Sequence, residues 1–486
     1  MIRYLAYLSL FSFVVLSAAA VWLGALNQDE GWYLYAAGLV GEGKMLYRDF
    51  FYTQGPLLPL VYSTFSFFWE NWGLLGGRIL TWMFGALSIV FAVAYARRLV
   101  SPEHRAAAGL IAFLLLGSNL YHLYYLSIPK TYALGAFFTA MGFYNLTFAG
   151  GRSRRSAFAA FVSGAALAFA CGARVSLAVM PSLVALYLLV SRRWRVFFPF
   201  AGGGALAFGL VYGAFLFDPQ ALEGLIAAQR YHAGRGGFDA VFTVGSISRL
   251  TRWYLPVFVL LGMGCICGSV RKVSLPLACF AAVFLLQMFA PFPYEDYQVP
   301  IMGVLAVAAA ATFSECAFAD AKMKTLLALG LAFACSFGSP LLEKWMTNGQ
   351  DRFWSIKKEK CELQQLRDVA KRIEAADPGG RELFTQDLYL AIETGRKVPQ
   401  GLEMGPFSML TDAQWMKLIA SQNCKVAALS GYSFAIDPPK CDEVPVARQL
   451  KYWELLKRRY RLVDKEEYFG QNQTTLLVLK LKEDAR

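Results

Sequence analysis

Two adjacent carboxylates, Asp29 and Glu30, stand directly after an uncharged apolar run at residues 4–26. A carboxylate held at a membrane surface can accept the proton of a hydroxyl group that attacks a substrate. The competing interpretation of Asp29 is an ordinary polar residue that ends a span. Glu30 is expected either to orient a substrate or a cation, or to face water.

A third acid and two isolated cations extend this set. Asp49 lies in the same segment and is expected either to bind substrate hydroxyls or to be a solvated acid paired with Arg48 or Lys44. Lys130 and Arg174 each begin an apolar run with no acidic neighbour in sequence. A phosphate is a natural partner for both cations, and the alternative is that they extend to lipid headgroups.

The elements that must position these side chains are membrane helices. The chain has 486 residues, of which 57% are hydrophobic and 17% are charged, and one water-soluble core could not bury that much apolar surface. For the apolar run at residues 4–26, a cleaved signal peptide is the alternative to a membrane helix. We predict about 11 transmembrane helices, at residues 4–26, 79–96, 106–120, 132–149, 157–171, 175–190, 196–217, 254–268, 273–290, 299–313 and 325–339.

Basic residues predict the orientation of these helices. Cytoplasmic loops of membrane proteins collect Lys and Arg, so alternate loops should be basic. With a cytoplasmic amino terminus, the cations that lie inside are Arg3, Arg97, Arg98, Arg105, Arg152, Arg154, Arg155, Arg192, Arg193, Arg195, Arg271, Lys272, Lys322 and Lys324. This orientation in an inner (plasma) membrane places residues 27–78, residues 218–253 and everything after Ser339 on the outer face.

The first outer segment contains the most informative pattern. Residues 31–40 have apolar side chains at helical spacing, which predicts a short amphipathic helix along the membrane surface. Gly41 and Gly43 then end the helix, and Gly55-Pro56 favours a turn before the next apolar stretch.

In this arrangement the sequence resembles the GT-C superfamily of polytopic membrane glycosyltransferases. The branch it resembles contains the protein O-mannosyltransferases, the aminoarabinose transferases and the bacterial lipopolysaccharide-sugar transferases. The pieces that carry the resemblance are the Asp29-Glu30 pair, the Tyr-Arg-Asp-Phe-Phe segment at 47–51, the Gly-Pro-Leu turn at 55–57, and the segments at 128–132, 172–174 and 293–300.

The resemblance implies a sugar transfer from a polyprenyl-phosphate donor to a hydroxyl of a glycolipid, lipopolysaccharide or protein acceptor. Asp29 would be the general base, and a single base suffices for inversion at the sugar carbon. Tyr294, Glu295 and Tyr297 lie where related enzymes place donor-binding residues, although aromatic residues also anchor proteins at membrane interfaces. A divalent cation could assist the departing phosphate.

The chain departs from the family at one point. Relatives often carry an acidic residue and then Lys or His before the Pro of the turn, where this chain has Gln54 and Gly55. A phosphate or metal contact expected there is missing, so another cation must replace it. Gln54 stays a candidate substrate-binding residue.

Arg230, Tyr231 and His232 lie in the second outer segment, before Gly236-Gly237. We expect this stretch to form a mobile cover over a site, with Arg230 and His232 as candidate substrate-binding residues. A single His in such a place is more often structural than catalytic.

Residues 341–486 form the second predicted domain, a soluble extracytoplasmic α/β domain after the membrane part at 1–340. Strands are predicted at 382–385, 426–429 and 475–481, and helices at 353–374, 411–421 and 446–459. Residues 391–406 could form a platform for the acceptor or be a plain connection. In an oxidising compartment a Cys424–Cys441 bridge would leave Cys361 unpaired.

Other classes of function fit the sequence less well. A nucleic-acid-binding protein would carry its cations along one face, and a zinc site would need more than the scattered Cys and three His present. A transporter or flippase of lipid-linked sugars should carry polar residues inside its spans and internal symmetry. A membrane scaffold without catalytic activity is separated from an enzyme by substitution of Asp29.

Overall fold

The chain is a multi-pass helical membrane protein with a small β-sheet near its carboxy terminus. The computed structural model describes residues 2–234, 236–267, 270–317, 320–347, 360–408, 410–431 and 446–483. The helices up to residue 253 are α1 (Ile2–Leu23), α2 (Gln28–Gly41), α3 (Leu57–Ser63), α4 (Phe67–Leu99), α5 (Arg105–Gly117), α6 (Leu120–Tyr125), α7 (Thr131–Leu146), α8 (Arg154–Ala173), α9 (Val179–Val190), α10 (Trp194–Leu216), α11 (Pro219–Ala233) and α12 (Ala240–Trp253).

The second half continues with helices and then a sheet. Its helices are α13 (Leu255–Cys267), α14 (Ser274–Met288), α15 (Val299–Ser314), α16 (Ala321–Phe337), α17 (Pro340–Thr347), α18 (Glu362–Ala376), α19 (Leu388–Thr394), α20 (Asp412–Ser421) and α21 (Val446–Arg459). The strands are β1 (Val426–Ser430), β2 (Tyr460–Phe469) and β3 (Thr474–Leu481). Short 3-10 helices lie at Pro102–His104, Val175–Ala178, Val270–Val273, Glu295–Gln298 and Gly405–Phe407.

Six of the described helical segments are long and apolar enough to cross a membrane, or seven if the bent pair α16 and α17 is one span. Each of the eleven predicted stretches overlaps a helix. However, α5, α7, α9 and α13 have only 12 to 16 residues, against the ~20 that a span normally needs. The membrane-spanning character is confirmed, and the count of eleven stays a prediction.

The chain forms two compact units that do not follow its linear order. Unit 1 comprises Met1–Val21, Thr53–Leu58 and Thr81–Ile356, and unit 2 comprises Trp22–Tyr52, Pro59–Leu80 and Lys357–Arg486. Most of the first outer segment therefore belongs to the same unit as the carboxy-terminal residues. The predicted division at residue 340 separates the chain by composition and does not describe this grouping.

Unit 2 contains a three-stranded antiparallel sheet in the order β1-β3-β2, as far as its described residues show. The strands predicted at 426–429 and 475–481 are confirmed as β1 and β3. Residues 382–385 form only isolated bridges, Glu382 to Lys397 and Phe384 to Ala427, so the strand predicted there is wrong. The helices predicted at 411–421 and 446–459 match α20 and α21, and part of the helix predicted at 353–374 lies outside the described residues.

Helix α2 is the element that carries the first acids. It is helical as predicted, but it is not amphipathic, because ten of its fourteen residues are buried. Gly31 allows α19 to approach closely, since a Cβ at this position would lie 2.2 Å from the backbone nitrogen of Tyr389. The helix is therefore enclosed by its own unit on most sides.

The second outer segment is also more regular than predicted. Asp218 caps α11 by accepting hydrogen bonds from the backbone N–H groups of Gln220 and Ala221. Asp239 caps α12 in the same way through Phe242. Residues 230–232 consequently lie in a helix and not in a loop, and the mobile cover expected from the sequence stays a prediction.

Candidate functional site

Asp29 lies in the first turn of α2, and a capping box fixes that turn. The side chain of Asn27 caps the helix, while the Glu30 carboxylate accepts the backbone N–H of Asn27 at 2.9 Å. Trp32 Nε1 donates a hydrogen bond to Asp29 Oδ1 at 3.0 Å. Asp29 is half-buried, so its carboxylate is both oriented and accessible, as a general base requires.

Glu30 is fully buried and forms an ion pair with Arg78 inside unit 2. Arg78 Nε and Nη2 each lie 2.7 Å from a Glu30 oxygen, and both side chains are 0% exposed. The same guanidinium donates to the carbonyl oxygens of Gly24 and Ala25 at 3.0 and 3.1 Å. The expectation that Glu30 faces water is therefore wrong, and this geometry favours a positioning role beside Asp29.

The carboxy-terminal residues of unit 2 also hold the start of α2. Glu362 Oε2 accepts the backbone N–H of Leu26 at 2.5 Å, and Gln471 Oε1 accepts that of Gln28 at 2.8 Å. The Gln28 side chain lies 3.4 Å from Asp387 Oδ1. The backbone just before Asp29 is thus held at Leu26 and Gln28 by residues more than 300 positions away in sequence.

Asp387 is a buried acid in this arrangement. Its Oδ1 accepts a hydrogen bond from the Tyr389 hydroxyl at 3.0 Å. Burial raises the pKa of the Asp387 carboxyl from 3.8 to about 6, although hydrogen bonds from Ser430 and Tyr389 act in the opposite direction. Because the folded-state pKa is the higher one, ionisation of Asp387 opposes folding as the pH rises from about 4 to about 6.

We expect Asp387→Asn to remove this penalty. Asn keeps an oxygen for Tyr389 and does not ionise. The free energy of unfolding of the variant, minus that of the native chain, should therefore rise by up to ~3 kcal/mol between pH 4 and pH 7. Denaturant titrations in detergent at both pH values measure this difference. Asp368→Asn is the matched control, because Lys360 lowers the pKa of Asp368 below its usual 3.8, so the ionisation effect is nearly complete by pH 4 and the control's stability relative to the native chain should stay nearly constant from pH 4 to pH 7. Equal pH dependence of Asp387→Asn and the native chain would contradict the prediction.

Asp49 lies on the surface of unit 2. Its carboxylate is 2.9 Å from Arg48 Nε and accepts the backbone N–H of Met45 at 2.7 Å. The hydrogen bond from Arg48 is the main reason that the pKa of Asp49 is lowered. This placement agrees with the solvated, paired acid that the sequence analysis left open.

A cavity of about 440 Å³ in unit 1 is lined by three of the predicted site residues, Gln54, Arg174 and Tyr297. Its polar lining comes from Thr53, Gln54, Arg174 and Ser176, with two glutamines that sequence reasoning missed, Gln229 and Gln287. The remaining wall is largely apolar, and its aromatic and aliphatic members are Leu286, Phe289, Pro291 and Phe292. One cation beside an apolar wall is suited to a phosphate that carries a hydrocarbon chain.

Arg174 follows the last residue of α8, and two rings flank its guanidinium. The guanidinium carbon lies 4.2 Å from the ring centre of Tyr297 and 5.2 Å from that of Tyr132. The turn that carries Gln54 packs directly against the end of α8, because a Cβ on Gly55 would lie 2.2 Å from the carbonyl oxygen of Gly172. Any side chain at position 55 would force this turn away from the end of α8.

Lys130 is buried in unit 1 and pairs with Asp296. Its Nζ lies 3.0 Å from Asp296 Oδ2, which also accepts a hydrogen bond from the Tyr132 hydroxyl at 2.9 Å. Extension to the lipid headgroups is therefore wrong for Lys130. Sequence reasoning missed Asp296 and Tyr132, although the acidic pair at 295–296 was a usable signal. Since Tyr132 also contacts Arg174, this network fixes one side of the cavity.

The other predicted donor residues have different surroundings. Glu295 forms an ion pair with Arg249 at 3.1 Å. Tyr294 is 42% exposed and packs against the rings of Phe242 and Tyr297. Tyr297 alone of the three predicted donor residues lines the cavity. Arg230 is exposed on α11, and the His232 side chain lies outside the described residues.

A second cavity, of about 670 Å³, lies in unit 2. It is lined by the carboxy-terminal half of α2 and by residues 391–397. Gly38 lines it and lies nine residues after Asp29, about two and a half turns along the helix and on its opposite side. Residues 391–397 therefore face away from Asp29. This geometry does not favour residues 391–397 as a platform for the reacting acceptor, and the role predicted for residues 398–406 stays a prediction.

Metal ligands and disulfides add little to the site. Within the described ranges, no three His, Cys, Asp or Glu residues come together in a way that could hold a metal ion. Cys424 is buried, with Sγ 3.8 Å from Glu382 Oε2. Its predicted partner, Cys441, lies outside the described residues. Cys361 is a free thiol and is partly exposed.

No family model and no curated protein matches the chain. Among solved structures, the chain is similar to ArnT from Cupriavidus metallidurans bound to undecaprenyl phosphate, with a TM-score of 0.66, 12% identity and 97% of each chain covered. It is also similar to the Archaeoglobus fulgidus oligosaccharyltransferase tethered with an acceptor peptide, with a TM-score of 0.54, 10% identity, and 98% of this chain and 74% of that chain covered. At these identities the likeness establishes the fold, which is the GT-C fold expected from the sequence.

Proposed function

We propose that this protein transfers a sugar from a polyprenyl-phosphate donor to a hydroxyl group of a glycolipid, lipopolysaccharide or protein acceptor. The observation that carries the proposal is the unit 1 cavity, in which Arg174 and Gln54 meet an apolar wall. A transporter would not need Asp29 as a base, so the activity of Asp29 variants separates the two functions.

The donor phosphate is held by Arg174 in this proposal, and Gln54, Gln229 and Gln287 supply neutral hydrogen bonds. Phe289 and Phe292 accommodate the start of the prenyl chain. Two structures of the same fold support a lipid phosphate as ligand. One is the ArnT structure with undecaprenyl phosphate, and the other is the archaeal oligosaccharyltransferase AglB in complex with an inhibitory peptide and a dolichol-phosphate.

The reaction proposed is a single displacement. The acceptor oxygen forms a bond to the anomeric carbon of the sugar while the bond from that carbon to the phosphate oxygen breaks, which inverts the configuration. The Asp29 carboxylate takes the acceptor proton, and polyprenyl phosphate leaves with the bonding electron pair. Arg174 offsets the negative charge of this leaving group.

Arg174→Gln should therefore weaken donor use. Loss of a charge-assisted contact costs about 1–3 kcal/mol, which corresponds to a donor KM raised about 5- to 150-fold, with a smaller change in kcat. Initial rates at varied donor concentration measure the effect. Arg174→Lys keeps the charge but loses the flat contact with the rings. Its donor KM should lie between those of the native chain and Arg174→Gln.

Arg252→Gln is the matched control for Arg174→Gln, because Arg252 is an exposed cation outside the cavity lining. It should leave the donor KM unchanged. If Arg174→Gln also has a normal donor KM, Arg174 does not bind the phosphate, and its place beside Tyr297 is structural.

The orientation of the chain is part of the proposal. We place the amino terminus in the cytoplasm of a cell with the protein in its inner membrane, and the site on the outer face. A reporter enzyme that is active only outside the cytoplasm should be active when fused after Ser339 and silent when fused near Arg154. The reverse pattern would place the site on the cytoplasmic face.

A further inference from the structure

A third cavity lies in unit 1, at the ends of α7 and α9 and the starts of α10 and α14. Its volume is about 300 Å³. Along α14, the residues that line it are near Leu275, whereas those that line the Arg174 cavity are near Leu286. Eleven residues of helix separate the two by about 17 Å. The two cavities therefore lie at opposite ends of the same helix and are different sites.

Three cations line this third cavity, from two distant parts of the chain. They are Arg193, Arg271 and Lys272, and among the described residues no Asp or Glu lines it. Glu315 pairs with Lys272 at 3.0 Å. The Arg193 guanidinium lies 5.7 Å from the ring centre of Tyr187. The cavity therefore has a net positive lining, which favours an anionic ligand.

Two helix starts add to this positive potential. Helix α10 begins after Arg193, and the helical segment that contains α14 begins at Val270 with a 3-10 turn; neither α10 nor α14 has a side-chain hydrogen-bond cap. The first N–H groups of a helix and its dipole both favour a negative charge nearby. The cations and the helix starts act in the same direction.

Part of the remaining cavity wall is apolar, beside the hydroxyl groups of Thr147 and Ser274. Phe143, Leu188 and Leu275 line it beside the three cations. A small inorganic anion gains nothing from such a wall, whereas a lipid phosphate brings its hydrocarbon chains with it. Basic pockets between membrane helices commonly bind the headgroups of anionic lipids.

We propose that this third cavity binds the phosphate headgroup of an anionic phospholipid, in the leaflet that the predicted orientation makes cytoplasmic. Arg193 and Arg271 contact the phosphate, and the apolar wall receives the start of the acyl chains. This site is independent of the sugar transfer, because none of its lining residues belongs to the Arg174 cavity.

The test uses the full-length protein in nanodiscs of phosphatidylcholine, with phosphatidylglycerol added in steps. We expect the midpoint of thermal unfolding to rise with phosphatidylglycerol, because a ligand of the folded state stabilises it. In the double variant Arg193→Gln, Arg271→Gln, apparent phosphatidylglycerol binding should be about tenfold weaker or more. Arg193→Lys with Arg271→Lys should retain most of the binding.

The control is the double variant Arg192→Gln, Arg195→Gln, which removes two exposed neighbouring cations that do not line the cavity. It should keep the native response. The proposal is overturned if both double variants lose the response equally, since the attraction would then be diffuse surface charge. It is also overturned if inorganic phosphate raises the unfolding midpoint as phosphatidylglycerol does. The same holds if the midpoint of the native chain is equal in pure phosphatidylcholine and with phosphatidylglycerol added. Equal midpoints of all variants in pure phosphatidylcholine confirm that they fold.

Discussion

Asp29→Asn is expected to reduce sugar transfer by about 10²- to 10⁴-fold, the range typical of losing a positioned general base. The side chain is nearly isosteric, and its oxygen can still accept the hydrogen bond of Trp32 Nε1. The capping groups Asn27 and Glu30 are unchanged. Turnover should therefore fall while donor binding and the thermal unfolding midpoint stay close to those of the native chain.

Asp49→Asn is the matched control, because Asp49 is an acid of the same segment that lies on the surface and pairs with Arg48. Its turnover should be near normal. Rates with purified protein in detergent, measured beside donor binding, separate catalysis from folding. If Asp29→Asn turns over at a near-normal rate, Asp29 is not the base.

The second large effect is expected for Arg78→Met. This change leaves Glu30 as a buried charge without its guanidinium and removes the donor to the carbonyl oxygens of Gly24 and Ala25. Breaking one side of a buried ion pair costs about 3–5 kcal/mol. The free energy of unfolding, from denaturant titration in detergent, should fall by this amount, and transfer should fall with it because the Asp29 turn loses its support.

Two variants control the Arg78 result. Arg48→Ala breaks an exposed pair of the same segment, and its cost should be below about 1 kcal/mol. Glu30→Leu combined with Arg78→Met removes both buried charges and should recover much of the stability lost in the single variant. A single variant as stable as the native chain would show that the pair does not hold the start of α2.

The sequence predicted the helices well, because apolar runs in a membrane can satisfy their backbone only as helices. It failed where burial depends on distant residues. Residues 31–40 resemble a surface helix, yet α2 is enclosed because α19 packs against Gly31. Strand β2 was missed because half of its side chains are charged and most are exposed, and its pairing with β3 is what makes it a strand.

In the candidate site too, single residues were predictable from local sequence, whereas their distant partners were not. Arg174, Gln54 and Tyr297 were predicted individually, and the structure brings all three to one cavity. The partner of Lys130 was not predictable from spacing, since Asp296 is 166 positions away. Arg78 was likewise overlooked, because an Arg inside a long apolar helix gives no local sign that Glu30 is its partner. Local patterns identify which residues can do chemistry, and long-range contacts decide which of them are already held in buried ion pairs.

The most direct test of the proposed sugar transfer is mass spectrometry of envelope lipids and glycoproteins from cells that lack this chain. The account predicts that one product loses a single sugar, that polyprenyl-phosphate sugar accumulates, and that the native chain reverses both changes whereas Asp29→Asn reverses neither. An unchanged envelope, or full restoration by Asp29→Asn, would contradict it.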